Sequence, residues 1–240
     1  MSEKPILFSA PMVLAYLAGR KSVTRRVVKD RAGCLIRTPG NFRISYPDSQ
    51  NGFTLEWLDA DGEPTGEHID VRPPPVTPGD TIWVKETWRA DILFDNLSPK
   101  QIFEYTPIKY EADGASDSEE TLFSPGRIRQ SIFMRRWMSR IVTPCVSLRV
   151  ERLQDITESD AKAEGCTLYK DGKPIFPLCN APFNEPPEKC VHRASFYKVW
   201  QTLNANRAPW DSNPWVWVIS FRQFSPTGRT KETTPASYQE

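Results

Sequence analysis

Proline restricts this chain more than any other residue type, since 22 of its 240 residues are prolines. A proline fixes the backbone φ angle and carries no amide hydrogen, so it interrupts helices and the inner strands of sheets. Eight tryptophans and a low mean hydropathy accompany the prolines. The composition therefore favours a soluble, loop-rich protein that contains β-strands, and the length suits one elaborated domain.

Apolar residues that alternate with polar ones predict the strands, and a helical spacing of apolar residues predicts the helices. The predicted strands are 6–8, 24–28, 81–88, 137–142, 146–153 and 215–221, with a hairpin over 42–57 inserted between them. The predicted helices are 9–17, 156–164 and a third that carries Phe196, Val199, Trp200 and Leu203. Thr157 and Asp160 stand in capping-box spacing at the start of the second helix. This pattern indicates a mixed α/β fold that is mainly β, a small β-barrel with peripheral helices and inserted loops.

Charge is balanced over the whole chain but uneven along it, with a formal net charge of +1. The segment 127–152 holds seven arginines and one acid, whereas 91–123 holds eight acids and two lysines. A basic face on a neutral protein can attract phosphate groups, and tryptophans can stack on bases. The expected RNA or DNA contacts are Arg135, Arg136, Trp137, Ser139 and Arg140, with Trp83, Trp88 and Trp210 as further stacking surfaces.

The sequence contains no stretch of membrane-spanning length, and its N-terminus lacks the apolar core of a signal peptide. We therefore expect a cytoplasmic protein with no membrane partner. Five cysteines with irregular spacing are typical of reduced thiols. Cys166, Cys179 and Cys190 lie near His192, but no CxxC pair supports a zinc site. We expect no metal or other cofactor, and Cys179, Cys190 and His192 are only weak candidates for ligands.

The segment 19–26, with the sequence Gly-Arg-Lys-Ser-Val-Thr-Arg-Arg, carries the clearest chemical signal. In it, Lys21 and Thr24 combine a base or cation with a hydroxyl nucleophile, where a predicted helix meets a predicted strand. Three neighbouring side chains could hold an anionic or nucleotide-like substrate: Arg20, Arg25 and Arg26. A solvated basic turn is the alternative interpretation of the same residues.

Glu164 lies in the last turn of its predicted helix, directly before Gly165. A carboxylate at that end faces the negative end of the helix dipole, which is mildly unfavourable. The anion should therefore gain a compensating partner such as Lys21. The alternative is a solvated side chain.

Taken together, these segments resemble the ASCH domain, a family of PUA-like β-barrels. The matching segments are 18–26, 78–80, 156–165 and 215–221. A wider pattern, 8–12, 85–88 and 136–140, looks like that of larger ASCH-like proteins from bacteriophages and prophages. The resemblance implies one domain over 1–224, with insertions near 30–78, 90–130 and 166–192 and a disordered tail at 225–240.

The resemblance also implies an activity. In small bacterial ASCH proteins that are N4-acetylcytidine amidohydrolases, a Lys, a Thr and a Glu form the catalytic set, and these fall on Lys21, Thr24 and Glu164. Thr24 would attack the exocyclic amide carbonyl, a neutral Lys21 would accept its proton, and Glu164 would orient Lys21 and position water. The expected contacts to the modified nucleoside are Arg20, Arg25, Arg26 and Glu86.

Other functions stay open. PUA-like domains often bind RNA, so the main alternative is a non-catalytic RNA- or DNA-binding module, or a ribonuclease, of phage origin. A structural or regulatory phage factor whose site has lost activity is a third. The chain is more than twice as long as the compact hydrolases, and this extra size together with the basic segment 127–152 favours the nucleic-acid-binding alternative. A phage protein of this kind would act in the cytoplasm of a bacterial host.

Overall fold

The structure is a computed structural model that describes residues 2–36, 40–45, 53–114, 123–166, 169–170, 173–174 and 191–222. Its strands are β1 (Glu3–Leu7), β2 (Val23–Val27), β3 (Asn41–Ser45), β4 (Thr54–Leu58), β5 (Pro64–Asp70), β6 (Thr81–Lys85), β7 (Trp88–Arg89), β8 (Lys109–Tyr110), β9 (Val142–Arg152), β10 (Tyr169–Lys170), β11 (Lys173–Pro174) and β12 (Trp215–Phe221). Its α-helices are α1 (Ala10–Leu17), α2 (Glu158–Ala163) and α3 (Val191–Asn204). The predicted tail at 225–240 lies outside the described residues.

Five strands form the central sheet, in the order β1-β6-β9-β12-β2. β1 and β6 are parallel, with Ile6 opposite Val84, and the other neighbouring pairs are antiparallel. β12 lies between β9 and β2 and is buried along nearly its whole length. The strand predicted at 215–221 is confirmed, and its apolar residues cover both faces of the sheet.

Strands dominate the described residues, which confirms a mixed α/β fold that is mainly β. Within the described ranges no backbone pairing joins the edge strands β1 and β2, so closure of the sheet into a barrel is not detected. One side chain does connect these edges. Nη2 of Arg26 on β2 donates to the carbonyl oxygen of Leu7 on β1 at 2.8 Å.

The two faces of the central sheet bury separate cores. Trp217 and Ile219 of β12 belong to the core on one face, while Val216 belongs to the core beneath α2 and α3. Successive residues of a strand point to opposite faces. Because Thr24 pairs with Ile219 and Arg26 with Trp217, these two side chains lie on the first of these faces.

Helices α2 and α3 are joined at their N-termini. The predicted cap of α2 is confirmed, because Oγ1 of Thr157 accepts a hydrogen bond from the amide of Asp160 at 3.1 Å. The carboxylate of Glu158 accepts hydrogen bonds from the amides of His192 and Arg193, at 2.7 and 3.0 Å. These amides belong to the first turn of α3, so one side chain of α2 caps its neighbour and fixes the two helices together.

The predicted hairpin over 42–57 corresponds to β3 and β4, and β5 adds a third antiparallel strand to it. A different insertion, after β6, has a small core of its own. That core consists of Trp88, Ala90, Ile102, Met134 and Met138. Both insertions therefore bury apolar side chains rather than running over the surface as plain loops.

Two strand predictions are wrong in part. Residues 137–142 do not form a strand of their own, because Arg136–Met138 form a 3-10 helix and β9 then runs unbroken from Val142 to Arg152. Met134 and Met138 pack into the small insertion core, which pulls this segment away from the sheet. The strand predicted at 81–88 is divided into β6 and β7 at Glu86 and Thr87.

None of the described helices is both long and apolar enough to span a membrane. The longest of them, α3, has 14 residues.

Candidate active site

Lys21 is positioned by the turn that follows α1. Gly19 has a φ of +68°, a left-handed backbone conformation that glycine adopts without steric cost. The amides of Arg20 and Lys21 both donate to the carbonyl oxygen of Ala15, at 2.8 and 3.1 Å. The chain therefore reverses sharply between α1 and β2, and Lys21 is held in the reversal.

Glu164 reaches Lys21 because the end of α2 docks on this turn through its backbone. The amide of Ser22 donates to the carbonyl oxygen of Ala163 at 2.9 Å, and Lys21 and Glu164 form an isolated antiparallel bridge. Gly165 follows with a φ of +81°, and a Cβ atom there would lie 2.6 Å from Cβ of Ala15. Glycine is therefore required for the close approach of α2.

The ammonium group of Lys21 is fully buried and has three acceptors. Its Nζ atom donates to the carbonyl oxygen of Val23 at 2.7 Å, to that of Glu164 at 2.9 Å and to Oε2 of Glu164 at 2.8 Å. The ring of Phe8 covers it, with Nζ 5.3 Å from the ring centroid. Three acceptors satisfy the three N–H groups of a protonated lysine, so this geometry is that of an ammonium ion.

The second oxygen of Glu164 binds another cation. Nη1 of Arg25 lies 3.2 Å from Oε1 of Glu164, and the same guanidinium contacts Glu151 at 2.5 Å and Asp160 at 3.2 Å. Arg149 contacts Glu151 and Asp160 from the other side, at 3.2 and 2.8 Å. Glu164 is thus held between two cations in a network in which three carboxylates balance Lys21, Arg25 and Arg149.

Thr24 is buried with no exposed surface, and its hydroxyl oxygen contacts Arg26. Nη1 of Arg26 donates to Oγ1 of Thr24 at 2.9 Å and to the carbonyl oxygen of Arg25 at the same distance. Arg26 itself is only partly buried, so the buried hydroxyl contacts a side chain that is partly open to solvent. The site therefore pairs the hydroxyl with a guanidinium and the ammonium with a carboxylate.

Burial and the charge of Glu164 shift the pKa values of the titrating groups at this site. Burial lowers the pKa of Lys21 below its usual value, while the carboxylate of Glu164 opposes that shift. Burial likewise lowers the pKa of Arg26. Burial, together with the negative charge of Glu164, raises the pKa of the Cys166 thiol to about 12, so that Cys166 is not a thiolate at neutral pH.

No protein-family model matches the chain, and neither the search of curated proteins nor that of solved structures returned a match.

The remaining predicted substrate contacts lie in two places. Arg20 borders the site, where its Nη1 donates to the carbonyl oxygen of Gly165 at 3.3 Å. Glu86 is buried at the end of β6, and both of its oxygens accept hydrogen bonds from Arg140 at 2.9 Å. Arg140 also contacts Asp113 at 2.7 Å and lies over the ring of Tyr110. Burial raises the pKa of Glu86, and Arg140 opposes the shift.

The predicted basic nucleic-acid surface has most of its polar groups engaged within the protein. Arg136 makes a two-point ion pair with Glu3, at 2.8 Å to each oxygen, and Ser139 donates to the carbonyl oxygen of Val84 at 2.7 Å. Arg135 is exposed, and Trp137 is half-buried against the small insertion core. Arg135 and Trp137 are therefore the members of this set that face solvent without an ion pair among the described residues.

Two of the predicted stacking surfaces are wrong. Trp88 is fully buried in the insertion core, and Trp210 is buried against α3, so neither presents a face to a base. Trp83 is half-buried, with Nζ of Lys85 lying 5.5 Å from its ring centroid. Tryptophan is mainly used here to fill cores, as its size favours.

The candidate zinc ligands are not brought together within the described part of the chain. Nδ1 of His192 lies 2.8 Å from Oε1 of Glu158, in the contact that joins α2 and α3. Cys179 and Cys190 lie outside the described residues. Among the residues that are described, no group of three His, Cys, Asp or Glu side chains has the arrangement of a metal site.

Sequence reasoning missed three members of the site: Phe8, Glu151 and Asp160. Glu151 carried a usable signal, since it is the single acid of the arginine-rich segment 127–152 and an isolated acid there is a natural partner for a buried arginine. The spacing of Thr157 and Asp160 predicts only a helix cap, with no ion pair to Arg25. Nothing in the sequence around Phe8 indicates that its ring covers the Lys21 ammonium.

Proposed function

We propose that this protein is a hydrolase that removes an N-acyl group from a modified cytidine or a similar nucleoside, through a site of the ASCH type. The observation that carries the proposal is the buried contact between Lys21 and Glu164, with Lys21 three residues before the buried Thr24. A buried lysine with a lowered pKa is a suitable proton acceptor. The proposed fold is correspondingly a PUA-like barrel with insertions, within a bacterial host's cytoplasm.

In the proposed first step, Oγ of Thr24 forms a bond to the acyl carbon of the substrate. The hydroxyl proton passes to the neutral amine of Lys21, which returns it to the exocyclic nitrogen as the carbon–nitrogen bond breaks. Water then attacks the acyl ester of Thr24. Its proton passes through Lys21 to Oγ of Thr24, and the products are the free nucleoside and a carboxylic acid.

The resting geometry places a condition on this mechanism. All three N–H groups of Lys21 are used by Val23 and Glu164, so Lys21 must lose a proton and release one acceptor before it can serve Thr24. Burial favours that loss and the charge of Glu164 disfavours it. Arg25 forms an ion pair with the other oxygen of Glu164, and this ion pair weakens the effect of the Glu164 charge on the pKa of Lys21. The Arg25 contact thereby supports a functional lysine.

The test is a mass-spectrometric turnover assay with N4-acetylcytidine and a panel of acylated nucleosides. We expect the wild-type protein to release the acyl group, and Thr24→Val and Lys21→Ala to reduce turnover by about 10³-fold or more. Thr143→Val is the matched control for Thr24→Val. Thr143 is an equally buried threonine on β9, whose hydroxyl donates to the carbonyl oxygen of Arg222 at 3.0 Å.

No turnover across the panel would overturn the proposal. The nucleic-acid-binding alternative would then be supported by RNA or DNA affinity that falls steeply with salt and that is unchanged in Thr24→Val. Under that alternative the residues to substitute are Arg135 and Trp137, because the guanidinium of Arg136 is already paired with Glu3.

A further inference from the structure

Arg25 and Arg26 are adjacent in β2 but have opposite electrostatic surroundings. The side chain of Arg25 contacts three carboxylates, those of Glu151, Asp160 and Glu164. Among the described residues, no carboxylate lies within 4.0 Å of the guanidinium of Arg26, whose described acceptors are all uncharged. Arg26 therefore has no ion pair among the described residues, although the charge of Glu164 acts on it from a greater distance. Its guanidinium contacts the hydroxyl of Thr24, the candidate nucleophile.

Arg26 also has donor capacity in reserve. A guanidinium carries five N–H groups. Three of them bond to Oγ1 of Thr24, the carbonyl oxygen of Arg25 and the carbonyl oxygen of Leu7. The Nε–H group and the second hydrogen on Nη2 have no acceptor among the described residues. Arg26 is partly exposed, whereas Thr24 is fully buried, so these donors lie on a side chain that contacts the hydroxyl and also reaches solvent.

We propose that Arg26 is a catalytic residue that stabilises the oxyanion formed when Thr24 attacks an acyl group. The inference rests on the proposed function, and it adds to that function the chemical class of anion that the site binds. In the resting state, Arg26 holds the hydroxyl oxygen that becomes the nucleophile. In the reaction, its N–H groups face the negative charge that develops beside that oxygen.

The geometry of acyl transfer makes this assignment specific. When Oγ of Thr24 bonds to the carbonyl carbon, the electron pair of the carbon–oxygen double bond moves onto the carbonyl oxygen. That oxygen is then two bonds from Oγ, within reach of a guanidinium whose Nη1 lies 2.9 Å from the same Oγ. Donors that are already held in place where the charge develops stabilise it strongly. Collapse of the intermediate expels the amine and returns the electron pair to the double bond.

The same chemistry predicts that the carboxylate product binds to Arg26. A carboxylate has one negative charge shared by two oxygens, and arginine commonly binds it with two parallel hydrogen bonds. Acetate should therefore compete with substrate. Acetamide has the same size without the charge and should compete far less well.

The test measures acylation of Thr24 directly. The probe is p-nitrophenyl acetate, and the readouts are nitrophenol release and the mass of the acetylated protein in wild type, Arg26→Gln and Arg26→Lys. We expect Arg26→Gln to slow acylation by about 10²-fold. Millimolar guanidinium should restore part of the rate, and acetate should inhibit the wild type but not Arg26→Gln. Arg26→Lys keeps the positive charge, so its acylation rate should lie between those of the wild type and Arg26→Gln. Arg43→Gln, at an exposed ion pair with Glu56, is the control.

The outcomes separate this inference from the proposed function. If the wild type acylates Thr24 and hydrolyses an acylated nucleoside, while Arg26→Gln retains its rate within about threefold, the role of Arg26 is wrong and the proposed function stands. A slow Arg26→Gln that neither guanidinium nor Arg26→Lys improves also contradicts the role, because that result describes a structural residue. If the wild type neither acylates Thr24 nor hydrolyses any acylated nucleoside, the proposed function fails and the role of Arg26 fails with it. If it hydrolyses an acylated nucleoside without acylation of Thr24, the role of Arg26 fails alone.

Discussion

Nζ of Lys21 lies 2.8 Å from Oε2 of Glu164, although the two residues are 143 positions apart in the chain. Both side chains are almost completely removed from solvent. Burying two charges costs several kcal/mol for each ion, and that cost is offset only when the pair and its hydrogen bonds are complete. The contact is complete here, because two backbone carbonyl oxygens and Arg25 satisfy the remaining donors and acceptors.

The first prediction concerns stability. Lys21→Met keeps most of the side-chain volume but leaves the Glu164 carboxylate and two buried carbonyl oxygens without their donor. We expect a loss of about 3–5 kcal/mol in the free energy of unfolding, measured by urea denaturation. Lys85→Met, at a partly exposed lysine that donates to the carbonyl oxygen of Ile132, should cost less than about 1.5 kcal/mol. Equal losses in the two variants would contradict a tightly coupled buried pair.

The second prediction concerns the pH dependence of turnover. If Lys21 acts in its neutral form, activity rises as the pH increases through the pKa of Lys21. The negative charge of Glu164 raises that pKa, so Glu164→Gln should lower it and move the rising limb of kcat to lower pH. The measurement is a pH–rate profile, with Glu56→Gln as the control for an acid on an exposed ion pair. If the rising limb of kcat has the same pH position in Glu164→Gln as in the wild type, a group other than Lys21 controls it.

The third prediction concerns Gly165, where α2 meets the Lys21 turn. Gly165→Ala would place Cβ 2.6 Å from Cβ of Ala15 and 3.0 Å from Cβ of Lys21, at a φ of +81°. We expect a loss of about 2–4 kcal/mol, from the backbone conformation and the overlap together, with a loss of turnover. Gly62→Ala separates the two causes. Gly62 has a φ of +84°, and a Cβ atom added there would meet nothing within 4 Å. The substitution should therefore cost only about 1–2 kcal/mol in the free energy of unfolding and leave turnover intact.

The fourth prediction concerns acid stability through Asp80, in the turn before β6. Hydrogen bonds from Ser2 and Thr77 outweigh a raising effect of burial and hold the pKa of Asp80 at about 2. Because the folded-state pKa lies below the unfolded value, this stabilisation is present above about pH 4 and is lost as the pH falls towards 2. Asp80→Asn should cost about 1–2 kcal/mol at pH 7, after allowance for solvent screening.

Unfolding of wild type and Asp80→Asn should be compared by urea denaturation at pH 7, 4 and 2. The difference in the free energy of unfolding between the two proteins should become smaller as the pH falls from 4 to 2. A difference that is the same at pH 7 and pH 2 would mean that the carboxylate charge is not what stabilises the turn.

Local patterns predicted the elements whose own residues decide their structure. The strand 215–221 and the helix that carries Phe196 and Trp200 follow from apolar spacing, and the cap at Thr157 follows from its hydroxyl. The strand predicted at 137–142 is wrong in part because Met138 packs into the core of the insertion, with Trp88, Ala90 and Ile102. The spacing of apolar residues does not show which of two cores they enter.

The sequence by itself determined that Lys21 and Thr24 lie where a helix passes into a strand, and that Arg25 and Arg26 point to opposite faces once that strand forms. Only the tertiary structure decided that Arg25 meets three carboxylates and that Arg26 meets none among the described residues. The alternation of side chains is a local consequence of strand geometry. The partners on each face come from β9, α2 and β1, which reach β2 only when long-range packing of the two cores brings them there.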